Sequence, residues 1–500
     1  MPTDPQEETL RFLASLDGGG EIARTHISRV VLGRARAFKL KRAVAFPYLD
    51  FSTPQKRLAM CEREVMLNRR TAPALYLGVR RVTRTRDGGL ELDGGGELVD
   101  AIVEMRRFDG DDLLESMAAT GRLTGQIVET LARRIASFHD SAEIVRERGG
   151  YAAMLHILEL NEVSERRAPP APPDAVRAHD AQLRARLDEM KALLDERHAQ
   201  GKTRLCHGDL TLRNICLLEG VPTPFDCLEF SDELASIDVL YDLAFLLMDL
   251  CRVGKGALAN LALNRYLDWR DEIDGLRLLP FFMSMRATIR AYVAAQQQSP
   301  EEASAYFDLS RALIGDCAPF VIAIGGYSGS GKSSVAAGLA PLIGAAPGAR
   351  TLNSDRLRKK LFGAEPTERL PTEAYTGEIS ERVYARMFEE AARVVAASWP
   401  VVVDAVFDLP QSRAEIEQVA KDAGVPFHGF WLDADIGARL ARVDIRQNDP
   451  SDATREVLLR QMQRGPGAIG WTQIDASRGL DVIVKEIARF IRASLLAAPC

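Results

Sequence analysis

The sequence predicts an α+β domain of two lobes followed by an α/β domain built on a parallel sheet. Three observations carry that expectation. At 500 residues the chain is longer than one hydrophobic core serves, since domains usually run about 100–200 residues. Its first hundred residues read as short strands around one helix and lead into a mostly helical stretch. From Phe320 onward an apolar strand passes directly into a Gly/Ser loop and a helix, the opening of an α/β unit.

Taken in order, Ile27–Leu32 and Ala37–Lys41 form a hairpin about Gly33, and Pro54–Arg70 follows as a helix. Residues 79–107 return to strand character around the Asp87-Gly88-Gly89 turn. Helical patterns run over Leu123–His139 and Asp174–His198, separated by a loop at Pro169, Pro170, Pro172 and Pro173. Thr203–Phe230 alternates β-rich pieces with polar loops, and helices resume at Ile237. Ser299-Pro300-Glu301-Glu302 reads as a capping box opening a helix to about Ile314. Gly315–Pro319 is a short break, so the expected domains are residues 1–318, with lobes at 24–107 and 108–314, and residues 319–500. So short a junction predicts contact between the two domains.

Composition narrows the function. With 46% hydrophobic, 27% charged and 7% aromatic residues the chain is of soluble globular type. Lys+Arg 64 against Asp+Glu 70 gives a net charge of −6, and residues 319–500 hold 22 of each sign, so the balance disfavours nucleic acid as a partner. Met1–Leu10 carries Asp4, Glu7 and Glu8 and predicts no secretory signal. No apolar run reaches the ~18 residues of a membrane span, and the most apolar stretch, Val239–Leu250, is interrupted by Asp242 and Asp249. The seven cysteines are scattered without a CxxC pair, so reduced thiols and a cytoplasmic location are expected, with no membrane partner. His139 and His207 have no partner at metal-ligand spacing.

Gly326-Tyr327-Ser328-Gly329-Ser330-Gly331-Lys332-Ser333, continued by Ser334, matches GxxxxGK[ST] and follows a buried-strand pattern. Such a loop turns backbone N–H groups toward phosphate oxygens; Lys332 reaches the β/γ-phosphates and Ser333 sits on Mg2+. A second strand, Val401-Val402-Val403, ends in Asp404, where a carboxylate serves the Mg2+ side. Asp355, in Asn353-Ser354-Asp355-Arg356, stands where it can take a proton from an attacking hydroxyl, with a helix N-cap as its bland alternative. Arg439, Arg442 and Arg446 share one helix face able to close over phosphates, or else form a solvated basic face. SGSGKSS, SDRLRKKLFG, VVVDAVF and RLARVDIRQNDPSDA resemble the small P-loop kinases related to zeta toxins, gluconate kinases and polynucleotide kinases, over residues 320–470. That resemblance implies an acceptor role for Asp355 and lid roles for Arg442 and Arg446.

The other constellation is His207-Gly208-Asp209-Leu210-Thr211-Leu212-Arg213-Asn214, with Asp226 beyond it. Asp209 and Asn214 have the separation of the Asp and Asn in the kinase catalytic loop, and Asp226 falls where a metal-binding Asp would. Phosphoryl transfer needs an in-line hydroxyl and neutralised phosphates, so Asp209 would orient and deprotonate the hydroxyl while Asn214 and Asp226 hold Mg2+. The phosphate lysine is expected at Lys41, with Lys39 on the same strand face as the alternative, and Glu64 as the pairing carboxylate. These residues resemble the aminoglycoside phosphotransferase and choline kinase-like family over residues 24–312, which implies a protein-kinase-like two-lobe fold. More closely, THISRVVLG, FKLKRAV and CHGDLTLRNICLL look like bacterial fusions of such a domain to a P-loop kinase. Thr211 stands where that family often has His, and the turn at Gly33 lacks a GxGxxG pattern.

The expectation is therefore an ATP- and Mg2+-dependent enzyme with two nucleotide sites and small hydroxyl acceptors. Alternatives are a nucleotide-sensing switch in which one half does not transfer, and a P-loop half acting on a nucleic-acid end or nucleotide sugar.

Overall fold

The computed structural model of the chain describes residues 6–18, 20–24, 27–46, 49–315, 317–445 and 450–497. Two compact units emerge. One comprises residues 1–163 and 184–249, the other residues 164–183 and 250–500. Residues 250–318, read from the sequence as the end of the first domain, thus group with the second unit.

The first unit is organised by a six-stranded antiparallel sheet in the order Glu21–Arg24, Ser28–Leu32, Arg36–Lys41, Leu98–Arg106, Tyr76–Arg84, Leu90–Leu92. The strand Arg36–Lys41 is central, with Val30 opposite Lys39 on one side and Val103 opposite it on the other. One face packs against the helix Pro54–Asn68 through Cys61, Val65, Leu75, Tyr76 and Val103. The other is covered by Leu10 and Leu13 of the helix Glu7–Leu16, a helix the sequence reading missed. The helix Gly125–Ser141 buries Val128, Leu131, Ile135 and Phe138 at helical spacing. Behind it the loop His207–Asn214 is framed by the short pairs Ile215–Leu218 with Val221–Pro224 and Thr203–Leu205 with Ser236–Asp238.

The second unit contains a five-stranded, all-parallel sheet in the order Arg350–Asn353, Val401–Asp404, Val321–Gly325, Phe427–Asp433, Thr472–Asp475. The sheet is the α/β arrangement predicted. Its inner strands are continuous apolar runs, as expected where helices cover both faces. The helices Lys332–Leu339 and Leu480–Ala497 close one face through Val335, Leu339, Ile483, Val484 and Ile487. Within the same unit, Gly256–Trp269 lies against the edge strand. Asn264 Nδ2 donates to Ala349 O (3.1 Å), Thr351 N donates to Asn264 Oδ1 (2.7 Å), and Arg350 Nη1 meets Asp268 Oδ1 at 2.8 Å.

Three local expectations are corrected. The helix Pro300–Leu313 starts where predicted, but Ser299 makes no side-chain cap bond, and Glu302 lies 4.0 Å from Arg290 instead of closing a capping box. The proline loop is flanked in front by a further helix, Gly150–Arg167. The helix expected over 174–198 is broken at Met190 into Pro173–Glu189 and Lys191–Ala199.

Candidate functional site

In the first unit the strand Arg36–Lys41 and the helix Pro54–Asn68 bring two lysines onto one glutamate. Lys39 Nζ lies 2.8 Å from Glu64 Oε1 and 2.5 Å from Asp226 Oδ1. Lys41 Nζ lies 2.6 Å from Glu64 Oε2 and 2.7 Å from Glu229 Oε1. Burial alone would raise the Glu64 pKa, but the two ammonium groups outweigh it and hold the carboxyl below its usual range. The geometry distinguishes the two lysines. Lys41 is fully buried and sealed between two glutamates, whereas Lys39 adjoins Asp226, whose side chain is 39% exposed. Glu229 was not foreseen, because a strand lysine in sequence shows no partner so far downstream.

Asp226 has a left-handed backbone (φ 59°), uncommon for a non-glycine residue, and its amide donates to Tyr76 Oη at 3.2 Å. Asn214 Nδ2 donates to Asp209 Oδ2 (2.7 Å) and to Asp209 O (2.9 Å), closing the loop over the predicted five-residue separation. The loop backbone is held from below. Asp242 accepts from His207 N (3.1 Å) and Gly208 N (2.8 Å), and Asp249 accepts from Leu212 N (2.8 Å). Sequence reading saw Asp242 and Asp249 only as interruptions of an apolar stretch. Their spacing of two helical turns in a buried helix was the available signal, since a buried carboxylate requires donors.

His139, Cys206 and Asp242 do converge, with ligand atoms within 4.8 Å, although their sequence spacing shows no pairing. His139 Nε2 lies 3.1 Å from Asp242 Oδ2, and that carboxylate already accepts two loop amides, so the trio supports the loop. Burial pushes the thiols of Cys61, Cys216, Cys227 and Cys251 up to about 12, which keeps them protonated and unreactive.

At the Gly33 turn, Asp17 Oδ2 accepts from Ala35 N (2.8 Å) and Arg36 N (3.0 Å). Those amides hold the Asp17 carboxyl below its usual range. The connection between the first two strands includes residues 25 and 26, outside the described residues.

In the second unit the loop Gly326–Gly331 joins the strand Val321–Gly325 to the helix Lys332–Leu339. Gly329 (φ 81°) and Gly331 (φ 92°) lie in the left-handed region, and a Cβ at Gly329 would stand 2.5 Å from Arg439 O. Lys332 Nζ donates to Tyr327 O at 3.1 Å, and Ser330 Oγ is buried without a hydrogen-bond partner. That orphaned hydroxyl and the backbone cradle fit an anionic group. Ser333, Asn353 and Asp404 converge: Asn353 Nδ2 donates to Asp404 Oδ2 (2.6 Å) and lies 3.3 Å from Ser333 Oγ. Two hard oxygen donors, a hydroxyl and a carboxylate, fit Mg2+.

Asp355 is not the helix cap. Asn353 takes that place, accepting from Arg356 N at 2.9 Å, and Asp355 sits in the first turn. Burial, with the charge of Asp404 nearby, raises the Asp355 pKa, while Ser451 donates to it and opposes the rise. Arg442 donates to Gly329 O (3.3 Å) and Ala476 O (3.2 Å). Arg439 is buried, its guanidinium 5.3 Å from the Tyr327 ring centroid. Arg446 lies outside the described residues. Gln461, which accepts from Ser328 N at 3.0 Å, carried no signal in the sequence.

Comparison with known proteins follows this division. The phosphotransferase enzyme family matches residues 28–279, just over half of the chain, and the AAA domain family matches residues 321–466. An uncharacterized protein of Mycobacterium tuberculosis is 29% identical over 453 residues, covering 87% of this chain and 88% of its own length. Among solved structures, the GDP and kanamycin complex of APH(2")-IIia has a TM-score of 0.38 at 13% identity, covering 61% of this chain and 96% of its own. APS kinase of Mycobacterium tuberculosis, in complex with AMPPNP and APS, has a TM-score of 0.25 at 21% identity, covering 36% and 99%. The chain belongs to the phosphotransferase enzyme family and carries, fused behind that domain, a P-loop domain of AAA type.

Proposed function

We propose that the chain is a double ATP- and Mg2+-dependent kinase, each half transferring the γ-phosphoryl group to a hydroxyl of a small molecule. The observation that carries this reading is the Lys39–Glu64–Asp226 cluster in the unit that also holds Asp209 and Asn214. Lys39 would bind phosphate oxygens, Asn214 and Asp226 would hold Mg2+, and Asp209 would orient the acceptor and take its proton. In the P-loop half, Lys332 and the loop amides from Gly326 to Ser334 would bind the phosphates, and Ser333 and Asp404 the Mg2+. Asp355, its pKa raised, would receive the acceptor proton, and Arg442 would neutralise charge on the transferring group. When bound, Mg2+ would offset the negative charge of the phosphate oxygens.

Contact between the two family-defined domains is part of the proposal. The bonds from Asn264 and Asp268 to Thr351 and Arg350 support it, since the first pair falls within the phosphotransferase match and the second within the P-loop match. A cytoplasmic location is part of the proposal, on the ground that the described cysteines are free thiols. Among the described residues no helix is long and apolar enough to cross a membrane.

The test follows label from γ-labelled ATP into a fractionated small-metabolite extract, using wild type, Asp209→Asn and Lys332→Ala. Each variant should lose a different acid-stable product. If neither half labels anything while both still bind ATP, the chain is a nucleotide-sensing switch and the proposal fails. If label enters only oligonucleotide ends through the P-loop half, the small-molecule acceptor for that half is wrong.

A further inference from the structure

The loop that carries Asp209 presents His207 and Leu210 to a separate cavity of about 190 Å³, several times the ~30 Å³ share of one water molecule. Its polar wall comes from Arg70 and Thr71, just past the helix Pro54–Asn68, and from Arg134 and Ser137 of the helix Gly125–Ser141. Among the described residues two guanidinium groups line it and no carboxylate does.

Neither arginine forms an ion pair among the described residues. Arg70 donates through Nε to Leu67 O (2.8 Å), through Nη1 to Leu205 O (2.6 Å) and through Nη2 to Cys206 O (3.2 Å), leaving one N–H on each Nη, and stacks 5.1 Å from the Phe138 ring centroid. Arg134 donates to Thr71 O at 3.3 Å, and its Nε is buried without a hydrogen-bond partner. His207 Nε2 lies 3.0 Å from Phe225 O, so the ring proton sits there and the buried Nδ1 remains an acceptor with no donor. Two cations beside one cavity, with partly unsatisfied polar atoms, are costly to hold without a counter-charge.

We propose that this cavity binds a small phosphate-type oxyanion, either inorganic phosphate or a compact phosphate monoester, gripped by Arg70 and Arg134. A guanidinium fork matches phosphate oxygens in pairs, which a lysine would not do. Arg70 already holds the two carbonyls that precede His207-Gly208-Asp209, so an anion on Arg70 shares its guanidinium with the catalytic loop and reports occupancy there. The binding rests on the cavity alone; its consequence for transfer rests on the kinase reading of Asp209.

Calorimetry on the full chain carrying Lys332→Ala, which weakens the P-loop phosphate site, tests this with inorganic phosphate and, separately, glycerol 3-phosphate. One of them should bind, and which one binds distinguishes free phosphate from an ester. Adding Arg134→Gln should weaken binding by about tenfold or more, the loss of one charge-assisted hydrogen bond, whereas Arg134→Lys should retain part of it. Absence of binding by both probes, or unchanged binding in Arg134→Gln, overturns the site. Hydrogen exchange gives the second readout: phosphate should protect amides 204–209 in the parent and not in Arg134→Gln. Binding with unchanged exchange would overturn the coupling to the loop. Binding and protection in a chain that transfers no label would leave this site standing while the kinase reading fell.

Discussion

The two proposed phosphate sites are assembled in opposite ways. In the first unit the charges come from far apart in sequence: Lys39 meets Glu64 from 25 positions away and Asp226 from 187. In the second, one loop supplies most of the cradle, and Asn353 and Asp404 join it from neighbouring parallel strands. The first site is therefore held by buried ion pairs, and the second by backbone geometry. Removing one partner of a buried pair strands a charge, whereas removing a side chain from a backbone cradle leaves the cradle standing.

The largest expected effect separates the two lysines. Lys39→Met should reduce label transfer by the first half about 10²–10³-fold, as for removal of one preorganised charge-stabilising group, with a smaller loss of stability than Lys41→Met because its second partner, Asp226, is partly exposed. Lys41→Met should do the reverse: it strands Glu229 and half of Glu64 in the core and costs about 3–5 kcal/mol, measured by denaturant unfolding. Equal kinetic effects from both would break the distinction between a phosphate lysine and a structural one. Lys332→Ala should abolish P-loop transfer and cost less in unfolding than Lys41→Met, because Lys332 is half-buried and its ammonium donates to the backbone carbonyl of Tyr327.

Acid titration sharpens the same contrast. The folded-state pKa of Glu64 is depressed below its ordinary 4.5, so its stabilising contribution is present above that pH and is lost as pH falls toward the folded value. Unfolding of the first unit should therefore show an acid limb below about pH 4.5 that Glu64→Gln flattens. Asp355 has the opposite sign. Its raised pKa means that ionisation is resisted in the folded state, so its contribution to stability declines as pH rises above 3.8.

A smaller effect is expected where the two matched families meet. Asp268 is half-buried, its side chain 21% exposed, and although desolvation raises its pKa, the guanidinium groups of Arg265, Arg350 and Arg356 bring it below the usual range. Asp268→Asn should cost about 2 kcal/mol of stability in the second unit, the scale of hydrogen bonds to charged groups. It should also lower P-loop transfer, because Arg350 opens the strand that ends at Asn353 and Arg356 shares a helix with Asp355. An unfolding midpoint unchanged in Asp268→Asn would show that the helix Gly256–Trp269 is not an integral part of that unit.

This difference in construction governed what the sequence made legible. The GxxxxGK[ST] loop, the strand ending at Asp404 and the Asp209–Asn214 spacing are local, and the fold brings each group together. Glu229, Asp242 and Asp249 act across folded distances and look in sequence like surface or misplaced charges. The choice between Lys39 and Lys41 was open for the same reason: two residues on one strand face are equivalent until the partner of each is known. Ser299 shows the converse, a local signal without the bond it implies, because Glu302 turns toward Arg290. The Gly33 turn, which lacks a GxGxxG pattern, is held by Asp17, whose part in it no sequence motif announces.

The smallest expected effect compares two helix caps, one at each site. Thr53 Oγ1 accepts from Lys56 N at the start of the helix that carries Glu64, and Asn353 Oδ1 accepts from Arg356 N at the start of the helix that carries Asp355. Losing either side chain to alanine should cost about 1 kcal/mol of stability. The kinetic consequences should differ. Glu64 lies three turns from Thr53 and is fixed by its two lysines, so Thr53→Ala should leave the Mg2+ dependence of transfer unchanged. Asn353 also donates to Asp404, so Asn353→Ala frees the carboxylate that would hold the metal, and the Mg2+ concentration at half-maximal P-loop transfer should shift. Equal stability loss with a shift in only one Mg2+ curve would show that a cap in the backbone-built site also orders its metal ligand, while the cap in the ion-pair site serves the helix alone.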